Sequence, residues 1–146
     1  MFLCSYRIFS LAAMVCISIH WQGHDLDLHN CFDFKRFTYD IPLRQIELFW
    51  LRSPEEWAKT TVLPGLTLIF SEASFFRVKE RDPEYPFTED KRLMSASFYP
   101  VKLRDEFDSI YFSSSPTDDL TFFFQSEWGF KINAAAAELI PLPHSC

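Results

Sequence analysis

Short runs of alternating apolar and polar residues follow one another along this chain, and each is cut off by a turn signal before it grows long. Alternation with period two sets one group of side chains on one face of an extended strand and the next group on the other. The runs recur about every 8–12 residues, the rhythm of a sandwich or an open barrel. Residue usage pushes the same way. Seventeen of the 146 residues are Phe and only three are Gly, and stiff, flat side chains suit a pleated, half-buried surface. The expectation is one mainly β domain over residues 14–146: a β-sandwich or open barrel of about eight to ten antiparallel strands with one or two short helices. A chain of this length buries a core without disulfides or metal.

Individual runs sharpen that expectation. "VCISIHW", residues 15–21, alternates as a half-buried strand. "CFDFKRFTYDI" shifts its apolar phase by one residue at Lys35–Arg36, which is what a β-bulge produces. "LRQIELFWLR" is apolar on both faces, as a central strand is. Ser53, Pro54 and Glu56 form a capping box for a short helix, which the β-branched Thr60, Thr61 and Val62 and the Pro64-Gly65 turn cut short. "LTLIF" and "SFFRVKE" read as two strands, "MSASFYPV" and "DSIYFSS" as two more, and "LTFFFQSEWGFKI" as a hairpin turning at Ser126-Glu127. "AAAAEL" reads as a short terminal helix stopped by Pro141 and Pro143.

Ahead of these, Arg7 precedes an apolar run over residues 8–19 that has the outline of a secretory signal. Only Cys16-Ile17-Ser18 approaches the small side chains that cleavage needs. A transmembrane helix takes about 20 apolar residues, more than this run supplies, so no stable membrane span is expected. The alternation that follows Met14 suggests that the domain opens there, with residues 1–13 an apolar extension. The expected location is the cytoplasm, or the periplasm or exterior if residues 1–18 are a signal peptide. Cys4, Cys16, Cys31 and Cys146 form no CxxC pair and read as scattered thiols, with a Cys31–Cys146 bridge as the alternative.

The formal net charge is −6. An acidic surface repels phosphate backbones, and Lys35–Arg36, Lys91–Arg92 and Lys102/Arg104 each have carboxylates close by in sequence, so no nucleic-acid partner is expected. The balance suits a protein partner with a basic surface. Three isolated glycines give neither a dinucleotide fingerprint nor a phosphate-cradling loop, and no G-x-S-x-G or H-E-x-x-H appears. The chain therefore leans away from catalysis and towards binding.

Two stretches carry candidate chemistry. "HWQGHDLDLHNC", residues 20–31, holds three of the four histidines. His24, Asp25, Asp27 and His29 offer the nitrogen and oxygen donors that zinc or iron takes. Alternate residues on a strand stand about 6.5–7 Å apart, so Asp25, Asp27 and His29 converge on one ion only where the strand bends. The plainer expectation is a strand with a polar face, Leu26 and Leu28 opposite it, and no cofactor. "RDPEYPFTED" is a charged, Pro-rich loop in which Tyr85 and Phe87 stand between Glu84 and Glu89 as contact residues for a partner. Phe122, Phe124, Trp128 and Phe130 read as core, with a small-ligand-binding barrel as the alternative use of an aromatic interior. The acidic pairs Glu55/Glu56, Glu89/Asp90, Asp105/Glu106 and Asp118/Asp119 read as turn and helix-start residues, not as a glycosidase pair.

"RDPEYPFTED" and "TFFFQSEWGFKI" resemble small bacterial β-rich domains, some of them similar to immunity proteins that neutralise toxins. The resemblance implies a binding domain for a protein partner and assigns no functional residue. The other readings are a metal-dependent enzyme centred on the 24–29 cluster and the small-ligand barrel.

Overall fold

The computed structural model describes residues 18–107 and 117–144. It is mainly β. Six antiparallel strands form a curled half-barrel, and two more form a separate hairpin. In chain order the strands are β1 (Ser18–Trp21), β2 (His24–Asp27), β3 (Phe32–Asp40), β4 (Gln45–Arg52), β5 (Gly65–Lys79), β6 (Leu93–Tyr99), β7 (Asp119–Phe124) and β8 (Gly129–Pro141). The large sheet runs β3-β4-β5-β8-β7-β6. Among the described residues no helix is long and apolar enough to cross a membrane.

Alternation explains the core. Ile46, Leu48 and Trp50 of β4, Leu66, Leu68 and Phe70 of β5, Leu120, Phe122 and Phe124 of β7, and Phe130 and Ile132 of β8 all point inward and are buried. The rings interlock. Phe34 meets Trp50 edge-on at 4.8 Å, Phe122 lies 5.1 Å from Phe130, and Trp128 stacks on Phe124 at 4.3 Å. The β1–β2 hairpin closes one end by adding Ile19, Leu26 and Leu28 to this cluster. Its two-residue turn has Gln22 and Gly23 at φ +46° and +80°, the pattern of a primed turn that matches strand twist.

The curl brings the two edges of the sheet together at one point. The Phe34 N–H of β3 donates to the Lys91 carbonyl, just ahead of β6, at 3.0 Å. Next to it, Lys91 Nζ lies 3.5 Å from the Asp33 carboxylate.

Several local expectations need correction. The bulge stands where the phase change put it, between Phe34 and Arg36. "LTLIF" and "SFFRVKE" are one strand, β5, broken in register between Ala73 and Phe75, with Glu72 in the left-handed region at φ +53°. The bulge shifts the apolar phase and so imitates a gap between strands. "AAAAEL" is not a helix but part of β8, where Ala134 pairs with Ala73 and Ala137 with Phe70. Alanine's helix propensity is weak beside twelve residues of ladder pairing to β5. The capping-box stretch makes only a single 3-10 turn, Glu56–Ala58, with the Ser53 hydroxyl accepting from the Glu55 N–H at 3.3 Å. Two more such turns stand at Phe87–Glu89 and Val101–Leu103. The "DSIYFSS" strand, residues 1–17, and Cys146 lie outside the described residues. Cys31 is a half-buried free thiol.

Candidate functional site

The residues of the 24–29 cluster are together in sequence, but their side chains turn to different partners. Asp27 caps the turn after β2, its Oδ1 accepting from the backbone N–H of His29 at 3.0 Å and of Asn30 at 2.9 Å. Its Oδ2 accepts from Asn30 Nδ2 at 2.8 Å. That is an Asx turn, and it exists because a short carboxylate reaches amides two and three residues on. His29 Nδ1 donates to the Leu93 carbonyl and so ties the hairpin to β6. His24 and Asp25 are exposed, and Asp25 pairs across the hairpin with His20 at 3.1 Å. Leu26 and Leu28 serve the core. Among the described residues no group of three His, Cys, Asp or Glu is placed to hold a metal ion.

The 80–92 loop is a built structure organised by Arg81. The Arg81 Nε donates to both carboxylate oxygens of Asp90 at 3.0 Å. A terminal nitrogen donates to the Tyr85 carbonyl at 2.6 Å, and the guanidinium lies 4.4 Å above the Phe87 ring. Asp82 Oδ1 accepts from the Glu84 N–H at 2.9 Å, while the Asp82 N–H donates to the Ser126 carbonyl at 2.9 Å. Trp128 fastens the other limb, its Nε1 donating to the Asp90 carbonyl at 2.8 Å. Phe87, the most exposed large apolar side chain of the described residues at 79%, is thus held in place on the surface. Tyr85 and Glu84 are exposed beside it, and Glu89 is half-buried.

This loop forms one wall of an open groove of about 380 Å³ whose other wall is β3. Phe37, Phe87 and Trp128 supply its aromatic surface, and Lys35, Arg36 and Lys91 its rim. Asp90 also lines the groove, already engaged by Arg81. Arg36 stacks over Phe49 at 4.3 Å, and among the described residues neither Lys35 nor Arg36 has a carboxylate partner. Basic residues that look diluted along the sequence are therefore gathered by the fold: the curl sets Lys91 beside the β3 bulge that carries Lys35 and Arg36.

A second polar cluster lies on the outer face of the sheet. Lys131 of β8 is wholly buried under the segment of residues 100–107. Its Nζ donates to the Leu103 carbonyl at 2.7 Å and sits 4.2 Å from the Tyr99 ring and 4.9 Å from the Phe107 ring. Beside it Arg104 grips the buried Asp119 through two bonds of 2.8 and 3.0 Å, and Asn133 Nδ2 adds a third at 2.9 Å. Burial, helped by the nearby Arg77, lowers the Lys131 ammonium from 10.5 to about 8, against the pull of Asp119, Glu106 and Asp105.

Compared with known proteins, the chain matches no family model, no curated protein and no solved structure. The functional reading rests on this geometry.

Proposed function

We propose that this protein is a binding module that captures a protein partner on the surface made by the 80–92 loop and β3. One observation carries the reading: Phe87 is 79% exposed yet fixed, with Arg81 stacked on it and the loop pinned by Asp90 and Trp128. Large aromatics held rigid at a groove lose little conformational entropy on binding, which is why such residues anchor interfaces. Tyr85 and the flanking Glu84 and Glu89 form the rest of the contact surface on the loop side. An immunity-like role, with a toxin as the captured partner, is one form this binding takes.

The test is co-purification from the native host with wild type, Phe87→Ala, and Leu43→Ala as an exposed apolar control on the β3–β4 turn. A partner retained by wild type and Leu43→Ala but lost with Phe87→Ala supports the reading. A partner held equally by all three places the interface elsewhere and overturns it.

A further inference from the structure

Resting on that reading, we infer that the bound element is an extended, acidic segment of the partner, which adds as a new strand along the free edge of β3. β3 is an outer strand of the six-stranded sheet. Among the described residues, its outer edge makes one backbone hydrogen bond, from the Phe34 N–H to the Lys91 carbonyl. Next to that stitch the groove opens between β3 and the 80–92 loop. An unpaired edge is a template for another chain, and main-chain bonds then supply affinity while side-chain pockets supply selectivity.

The groove says which chain. An added strand presents alternate side chains to the two faces. One set faces the aromatic surface of Phe37, Phe87 and Trp128, and the other meets the cationic rim of Lys35, Arg36 and Lys91. Lys35 and Arg36 are exposed and have no carboxylate partner among the described residues. Carboxylates on the incoming strand supply what they lack. The same two charges oppose pairing between the β3 edges of two copies, because like charges would then face each other. They also account for how a chain of net charge −6 attracts an acidic segment: Lys91 and Asp90 are already engaged by Asp33 and Arg81, which leaves Lys35 and Arg36 as the uncompensated charges lining the groove. Nucleic acid fits less well, since a phosphate backbone needs a cationic track longer than this groove.

The probe is a blocked ten-residue peptide of alternating Glu and Val, compared with its Lys/Val counterpart and with a ten-nucleotide single-stranded DNA. Binding is read by fluorescence anisotropy up to millimolar ligand, and backbone protection by hydrogen exchange. The acidic peptide is expected to bind best, to slow exchange of amides in residues 35–40, and to bind about tenfold more weakly to the Lys35→Glu/Arg36→Glu variant. Both substitutions are at exposed positions, so circular dichroism should show an unchanged fold.

No binding, tighter binding of the Lys peptide or the DNA, or binding without protection of β3 overturns the inference. So does a dimer by sedimentation that the double variant breaks, because the edge would then belong to a second copy. If co-purification depends on Phe87 but the acidic peptide leaves β3 unprotected, the binding function stands and only this occupant falls.

Discussion

The two faces of the large sheet are both buried near β7 and β8, yet they are buried in opposite ways. On the concave face Phe122 and Phe130 meet other rings, and the Trp50 indole N–H has no partner among the described residues. On the convex face, one residue along each strand, Thr121 and Lys131 are buried, and the 100–107 segment lies over Lys131, while the Thr121 hydroxyl has no partner among the described residues. There the contacts are charged: Arg104 with Asp119, Arg77 with Asp105, Lys131 with a carbonyl and two rings. The concave face is held by area and shape, with no orientation that must be exact for each pair. The convex face is held by a few directed bonds, and each loses its value when one partner is removed.

That contrast is open to direct attack. Trp50→Ala removes a fully buried ring and should lower stability by about 3–5 kcal/mol in chemical denaturation. Trp50→Phe should cost far less, because the lost indole N–H was unpaired. On the other face Asp119→Ala leaves the half-buried Arg104 without its carboxylate and the Asn133 amide with only the Thr117 carbonyl, with an expected loss of about 3 kcal/mol. Lys131→Met keeps the stem and removes both the cost of the buried charge and its contacts with the Leu103 carbonyl and two rings, so the two partly offset and the change in stability at neutral pH should be smaller than for Asp119→Ala. A large loss with Lys131→Met would mean that the ammonium, not the apolar stem, holds the 100–107 segment down.

The same variant isolates a pH effect. Because folding lowers the Lys131 pKa from 10.5 to about 8, the unfolded chain retains a proton between those values that the folded chain has released. Stability contributed by this residue therefore rises with pH across that window, by a total on the order of 3 kcal/mol, and below it the charged form is held at a cost. Denaturation midpoints of wild type minus Lys131→Met should climb between about pH 8 and 10.5. A flat difference would mean that the ammonium is as well solvated inside as in water. The smallest effect belongs to the groove: Phe87→Ala should alter stability by less than about 1 kcal/mol, since it loses only an exposed ring beneath Arg81.

Most of the strand pattern was legible because alternation is a local property. The bulge at Phe34/Arg36 was legible for the same reason, since it shifts the phase within a few residues. β5 was misread as two strands because its bulge lies mid-strand, and the four alanines of β8 were misread because their neighbours across the ladder, not their propensity, decide their state. For the candidate site, the loop with Tyr85 and Phe87 stood out by composition. Its meeting with Lys35 and Arg36 did not, since that depends on the curl of the whole sheet. Lys131 was hidden in plain alternation: in "GFKI" it reads as the wet residue, and only the 100–107 segment laid over it makes it dry.

β8 lies between β5 and β7 in the sheet, yet it follows the other seven described strands in the chain. As the polypeptide leaves the ribosome, β3-β4-β5 and β6-β7 emerge as two ribbons with no ladder between them until residues 129–141 arrive to join both. The protein must therefore wait, with Phe70, Phe122 and their neighbours still uncovered, for its central strand. Its exposure to chaperones and to aggregation is set by how quickly that strand is delivered.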